Sequence, residues 1–564
     1  MAMPEYHPFL PFLVAALLAA VTRGTLRSII MLLAPVVGGL MLLGVETGTL
    51  VQYQLMELTL SPYRVDALSL PFAYIFHIGA FICVLYSLHL KDTLQHVAGM
   101  LYAGSAIGAV FAGDLFTLFI FWEILGLSSA FLVWSSRDDQ SVSAGVRYLI
   151  FQVLSGVLLM AGALWIWVDT GSLAFDVIGL EGGAAWLIFF AFGIKCGFPF
   201  LHNWITDGYP ASTPTGTVFL CCFTTKVAIY AMARGFPGTE LLVYIGAFMA
   251  CYPIFFAVIE NDLRRVLAYS MINQLGFMVV GVGLGTALAL NGAVAHAFND
   301  VLFKGLLFMS MGAVMYVTGR TKASDLGGLY KKMPITTALC IVGAVTISAF
   351  PLVSAFISKS MIMSALIEEG HGIIWMFMLF ASAGVLEHAG IKIPYFAFFA
   401  HDQGIEAQEA PRNMLGAMSI AAVLCVAIGV FPAMLYNILP YDAPYSPYDM
   451  THVLTQMQLL AFATLGVVFL HRSGRYPAEV PSVNLDFEWV YRRLLPGIYR
   501  IVVRTLQIIG DFIGSYLQSW SGNLMAALNR THGPQGTLAR TWPTGSMVLW
   551  VAVLLAVFLV LDFL

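Results

Sequence analysis

The stretch GIKCGFPFLHNW, residues 193–204, decides the fold of this chain. It places Lys195 inside an otherwise apolar run, with Pro199 one turn further on and His202 close behind. Proline has no N–H to give an inner helical turn and its ring clashes with the carbonyl of the turn before, so a helix through Lys195 is expected to break here. An ammonium beside such a break belongs inside a large apolar body, where opened backbone lines a cavity and the charge has a use.

The rest of the chain supplies that body. Of 564 residues, 59% are hydrophobic and 10% charged, and mean hydropathy is +0.85. Soluble domains carry about 25% charged residues, so the composition is that of an all-α polytopic membrane protein. A net charge of −4 excludes the basic footprint of a nucleic-acid binder. The seven cysteines all fall in apolar segments and none has C-x-x-C spacing. They read as packing residues rather than iron–sulfur or zinc ligands, and neither metal nor other cofactor is expected. The early run FLPFLVAALLAAV lacks the basic lead and cleavage site of a signal peptide and reads as a first span.

A span needs roughly 20 apolar residues. Such segments occur at 9–21, 28–44, 67–88, 95–112, 114–135, 143–168, 184–207, 214–234, 240–259, 264–284, 286–317, 335–365, 372–398, 412–436, 452–471 and 546–564, about sixteen in all. Basic residues such as Arg23, Lys91, Arg137, Arg264, Lys331, Arg412 and Arg472 follow odd-numbered spans, whereas loops after even-numbered spans offer little beyond Arg64 and Arg234. The positive-inside rule then makes the odd-numbered loops cytoplasmic and puts both termini outside. Residues 484–529 form a long amphipathic region; if continuous, some 45 residues would reach about 65–70 Å, with Pro496 kinking the start. It reads either as an interfacial helix lying on the bilayer or as a strap along neighbouring subunits, anchored by the last span.

Ionisable residues inside spans are costly and mark function by default. Glu123 lies in LFTLFIFWEILGLSSAFLVW, Lys195 in the opening stretch, Lys226 in FLCCFTTKVAIYA, and Lys359 after FPLVSAFISK. His296, Asp300 and Lys304 recur every fourth residue in AVAHAFNDVLFKGLLF, which aligns them on one helix face. A stripe of titratable groups one turn apart suits proton hopping; the bland alternative is a self-satisfied cluster in which Asp300 neutralises Lys304. Lys392, with Glu387 and His388, sits nearer a helix end and reads as structural, and Asp114 reads as a helix-end group. The G-x-G of GVGLGTALAL lacks strand–helix context and reads as helix packing.

Pro351 interrupts the twelfth segment as Pro199 interrupts the seventh. Spans four to eight and nine to thirteen make two units of five helices; an odd count inverts the second unit relative to the first, and both breaks fall in the fourth helix of a unit. Broken helices in matching places point to inverted repeats around a mid-membrane site. The division is then 1–94 for three leading spans, 95–239 and 240–400 for the repeats, 401–480 for two further spans, and 481–564 for the amphipathic helix and last span.

The blocks FIFWEILGLSSAFLV, IKCGFPFLHNWITDGYPASTPTGTVFLCCFTTKVAIYAMAR, LRRVLAYSMINQLGFM, HAFNDVLFKGLLFMSMGAVMY and SAFPLVSAFISKSMIM resemble, in order, the antiporter-like membrane subunits of respiratory complex I, membrane-bound hydrogenases and multisubunit Mrp cation/proton antiporters, the D-type Mrp protein most of all. The resemblance implies two inverted five-helix units, each holding a half-channel, in a multi-pass subunit of a prokaryotic inner-membrane complex with other membrane subunits as partners. It matches Glu123 to the fifth-helix glutamate, Lys195 to the lysine of the broken seventh helix, Lys226 to the connecting lysine of the eighth, His296 and Lys304 to the eleventh-helix pair, and Lys359 to the ionisable residue of the broken twelfth. Asp300 stands where some members have a second histidine, and Gln274 where others have a tenth-helix histidine. The C-terminal extension is similar to the lateral helix of the distal complex I subunit and is not expected of a D-type Mrp protein.

The expected function is proton translocation within a larger complex, by way of Glu123, Lys195, Lys226, His296, Asp300, Lys304 and Lys359, with exchange for Na⁺ or K⁺ as the first reading. The alternatives are the pumping subunit of a redox complex, or an energy-coupling subunit that docks a soluble enzyme such as a CO₂-hydrating partner.

Overall fold

The computed structural model describes residues 7–477, 480, 484 and 486–564. It falls into two compact units, Met1–Asp486 and Phe487–Leu564. The boundary expected at residue 481 lies outside the described residues.

The first unit begins with α1 (Leu10–Val21) and α2 (Gly24–Leu42), followed by a two-stranded antiparallel hairpin, β1 (Leu50–Leu55) and β2 (Leu58–Arg64). This hairpin is a small addition to the helical fold expected. From Val51 to Leu55 its residues alternate apolar and polar with a period of two, as a strand does, and nearly all of β1 is exposed. Then come α3 (Ser69–Ser87), α4 (Thr93–Phe111), α5 (Leu115–Trp134), α6 (Asp139–Thr170), α7 (Gly182–Cys196), α8 (Asn203–Ala211), α9 (Pro214–Cys222) and α10 (Thr224–Gly235). Next come α11 (Glu240–Ile259), α12 (Leu263–Leu284), α13 (Ala287–Thr318), α14 (Pro334–Ile347), α15 (Ser354–Glu368) and α16 (Gly372–Val385). The last of these continues through two π-helical turns, Leu386–Ile391 and Tyr395–Phe399, which flank the single turn α17 (Lys392–Pro394). α18 (Arg412–Val430), α19 (Ala433–Tyr436) and α20 (Met450–Arg472) complete the unit.

Among the described residues, thirteen helical stretches are long and apolar enough to cross a membrane, and shorter apolar helices stand at α1, α7 and α14. Aspartates start several of them. Asp114 caps α5 by accepting from Thr117 N at 2.7 Å, and it also takes Ser61 N at 2.7 Å, which ties the hairpin to that helix end. Glycines set the close approach of α11 and α12: a Cβ on Gly246 would lie 2.6 Å from Val280 N, and one on Gly283 2.6 Å from Val243 N. The G-x-G run is thus packing surface.

The second unit holds α21 (Leu495–His532) and α22 (Thr544–Asp562). At 38 residues, α21 is about 57 Å long, and a π-helical turn, Val490–Leu494, leads directly into it, so that helical backbone runs without a gap over residues 488–532. Pro496 stands in the first turn of α21, directly after that π turn, where the widened backbone accommodates a residue with no N–H to donate.

Candidate functional site

Two loops of the same construction open the seventh and twelfth spans. Between α7 and α8 the chain reads Gly197-Phe198-Pro199-Phe200, with φ +74° at Gly197 and +69° at Phe200. Between α14 and α15 it reads Ala349-Phe350-Pro351-Leu352, with φ +55° at Ala349 and +74° at Leu352. Each is a Phe-Pro pair held between two left-handed residues, so each helix stops, reverses its backbone hand and resumes. Only one of these four left-handed positions is a glycine, which means the surrounding packing holds strained backbone in place.

A stopped helix leaves carbonyls without N–H partners and a partial negative charge at its end. Side chains donate to carbonyls at these ends, in addition to the Gly197 N–H that Ile194 O already accepts at 3.1 Å. Trp204 Nε1 donates to Ile194 O at 2.8 Å, and Lys359 Nζ to Ile347 O at 3.2 Å. Lys226 does the same at a third interruption, where α9 gives way to α10 at Phe223: its Nζ donates to Cys221 O at 2.8 Å. Two of the lysines singled out in the sequence are therefore tied to carbonyls that helix breaks release.

Lys195, fully buried, donates to Trp122 O at 2.7 Å and lies 4.5 Å from the centre of the Trp122 ring. Glu123, the next residue along α5, interacts with Lys195 through its field rather than by an ion-pair contact. Its Oε1 is buried without a hydrogen-bond partner and fills the space beside Gly156 of α6, where a Cβ would overlap it.

At the centre of the unit, Lys226 Nζ meets Asp300 Oδ2 at 2.5 Å, with both side chains fully buried. Asp300 thus pairs with the lysine of α10 rather than with Lys304 one turn along its own helix. Lys304 donates instead to Ser270 Oγ of α12 at 2.8 Å. His296 is held at both nitrogens, Nδ1 2.9 Å from Ser358 Oγ and Nε2 3.0 Å from Gln274 Oε1. Lys359 lies 4.8 Å from the centre of the Phe277 ring. The stripe on α13 therefore reaches three neighbouring helices, α10, α12 and α15. Lys392, by contrast, caps α11, donating to Val258 O and Glu260 O at 2.7 Å each.

Two polar clusters escaped the reading of charged residues. Buried hydroxyls link α4 to α10 and α6 to α5: Tyr102 Oη lies 2.7 Å from Thr224 Oγ1, and Tyr148 Oη donates to Ser129 Oγ at 2.9 Å. Beside the first break, Asp486 Oδ2 takes His202 Nε2 at 2.8 Å, Tyr269 Oη at 3.0 Å and Asn203 Nδ2 at 3.3 Å. His202 stands in the opening stretch of sequence, but its partner is 284 positions away, and no local pattern signals it.

Residues 112–384 match the family described as the transmembrane part of NADH:quinone oxidoreductase and Mrp antiporters. Hydrogenase-4 component B of Escherichia coli (strain K12) is 28% identical over 80% of this chain and 72% of its own length. The D component of the Na(+)/H(+) antiporter of Alkalihalophilus pseudofirmus is 28% identical over 57% of this chain and 69% of its own length. Among solved structures, a chain of the membrane-bound sulfane sulfur reductase, an archaeal respiratory membrane complex, superposes with a TM-score of 0.71 at 21% identity, covering 99% of this chain and 100% of that one.

Proposed function

We propose, for a chain whose residues 112–384 belong to the NADH:quinone oxidoreductase/Mrp antiporter transmembrane family, that the buried charges form a proton path between two half-channels of a multisubunit membrane complex. The observation that carries this reading is the fully buried Lys226–Asp300 pair. A structural pair at this depth is cheaper to replace with apolar side chains. Here one carboxylate stands between lysines at Lys226 and Lys304, with a doubly hydrogen-bonded imidazole one turn away, so a proton entering on either side changes which partner Asp300 favours.

The path runs from Lys195, whose charge is balanced by Glu123, through Lys226, Asp300, His296 and Lys304 to Lys359. Moving one charge through the membrane potential is worth about 2.3 kcal/mol per 100 mV, so such a path couples to work done by partner subunits. Exchange of protons for Na⁺ or K⁺, in a prokaryotic inner membrane with both termini outside, is the first reading, supported by the antiporter relatives. A pumping subunit of a redox complex is the second. It is favoured by the hydrogenase component as a relative and by the likeness of fold to a respiratory-complex chain that extends over the C-terminal unit.

Lys195→Ala and Glu123→Ala chains, assembled in their complex in sealed vesicles, test the common core of both readings: proton flux is lost, and retention of parental flux in either rejects the path. The proteins recovered with the intact complex then separate the readings. Small hydrophobic antiporter subunits support exchange, redox subunits support pumping, and a soluble zinc enzyme means coupling to chemistry done elsewhere.

A further inference from the structure

A cavity of about 320 Å³ opens beside the second break, with Lys359 among its lining residues. Two polar stripes face each other across it. On α15, Ser360, Ser364 and Glu368 recur every fourth residue, beginning next to Lys359 and ending at the helix C-terminus. On α20, His452 and Gln456 recur at the same spacing from the first turn. The stripes are joined: Ser364 Oγ lies 2.8 Å from His452 Nε2 and 3.1 Å from Tyr445 Oη, and His452 Nδ1 lies 2.7 Å from Asp449 Oδ2. At the inner end, Gln456 Nε2 donates to Ser348 O, a carbonyl of the break itself, at 3.1 Å. Exposure rises along the line, from 4% at Lys359 to side-chain values of 28% at His452 and 49% at Asp449.

This is the form of a mouth. Apolar side chains, Phe277, Met363, Ile367, Trp375 and Leu379 among them, line much of the cavity, and the two polar stripes supply the partners that a chain of waters needs in a volume that holds several. α15 ends and α20 begins at the membrane face opposite the loop that carries Lys331 and Lys332, the face expected to be outside. Asp449 caps α20 and is held below the usual carboxylate range by the His452 backbone N–H, so it stays anionic beside the ring. An anionic acceptor at Nδ1 fixes the neutral imidazole with its proton there and leaves the Nε2 lone pair facing Ser364 and the cavity. The other titratable groups sharing the cavity with His452 are Glu368, Lys359 and the Tyr445 hydroxyl beside it.

We propose that this cavity is the outer mouth of the second half-channel and that His452, oriented by Asp449, passes protons between Lys359 and the outer solution. The inference rests on the proton path proposed above. In the outward direction, the Lys359 ammonium releases a proton to the cavity and becomes the amine. His452 Nε2 takes up that proton as imidazolium, which Asp449 stabilises. The ring then returns the proton to water at the exposed rim and regains its starting tautomer.

Three variants of the full chain in its native complex test this. His452→Gln keeps a hydrogen-bonding side chain without a titrating group, and proton flux at neutral pH falls about tenfold; a positioned proton-transfer group contributes 10²–10⁴-fold, and water partly replaces it here. Ser364→Cys is modified by a membrane-impermeant thiol reagent added outside, and modification lowers flux; Thr455→Cys, a further lining position on α20, repeats the labelling independently. The parent chain is the control, since Cys251 is its only cysteine that is not fully buried. Parental flux in His452→Gln, or both cysteines modified only from the cytoplasmic side or from neither side, overturns the proposal. If Lys195→Ala also keeps parental flux, the proton path itself fails; if Lys195→Ala is inactive while His452→Gln is normal, only this mouth does.

Discussion

Asp300 is where charge, burial and stability meet. Its carboxylate lies 2.5 Å from Lys226 Nζ inside a fully buried pair, so removing it leaves an ammonium with no counter-charge. Breaking a buried pair on one side costs about 3–5 kcal/mol, whereas replacing both members by apolar groups of similar volume is often neutral. Asp300→Asn is therefore expected to lower the thermal unfolding temperature of the solubilised complex markedly. Adding Lys226→Met to it restores stability without restoring proton flux. Equal unfolding temperatures for the single and double variants refute this account of the pair. Gly156 makes a second prediction, because a Cβ there overlaps Glu123 Oε1. Gly156→Ala displaces the carboxylate and lowers flux to the level of Glu123→Gln, although alanine is the better helix former; flux above that level contradicts the steric link. The charged residues themselves were legible, since they stand singly or one turn apart in otherwise apolar runs. Their partners were not. Asp300 had a lysine one turn away on its own helix and took one on another, because the backbone of α13 fixes only which face a side chain leaves from.

The broken helices belong to the scale of elements. Pro199 and Pro351 mark both gaps in the sequence, and the parallel between Gly-Phe-Pro-Phe and Ala-Phe-Pro-Leu is readable once the two loops are aligned. The left-handed turns at Phe200, Ala349 and Leu352 are not readable, since those residues favour the opposite hand. Non-glycine residues pay roughly 1–2 kcal/mol there, so Leu352→Gly is expected to raise stability by about 1 kcal/mol after the entropy of glycine is subtracted. Leu352→Val lowers it, because a β-branched residue is a worse fit at positive φ. Chemical denaturation of the solubilised complex distinguishes the two, and stability that moves the same way in both is the adverse result. The hairpin of residues 50–64 was also legible, in the alternation of LVQYQL, but is easily absorbed into a helical reading of a chain this apolar.

At the scale of the molecule, the two units make different demands. The first encloses the breaks and the buried charges in one body, and its sequence declares them through composition and order. The second exposes apolar side chains all along α21, Ile498, Ile501, Ile508, Phe512 and Leu524 among them, while its polar residues recur on a helical face. A helix of about 57 Å with such a stripe has more surface than a solvated element carries, which suits burial in lipid or along neighbouring subunits. Removing Phe487–Leu564 is thus expected to leave the unfolding of the remaining chain cooperative but to shrink the complex recovered on native gels. A complex of unchanged size and stability counts against a strap role.

The lysines at the breaks also act mechanically. Lys359 and Lys226 each tie an ammonium to a carbonyl released by a helix interruption. A charged ammonium donates strongly and answers the negative end of the helix, so each tie joins an electrostatic contact to a hydrogen bond. On the proton path proposed above, each joint would act as a spring whose tension follows its charge, so that passage of a proton and the geometry of the break are coupled.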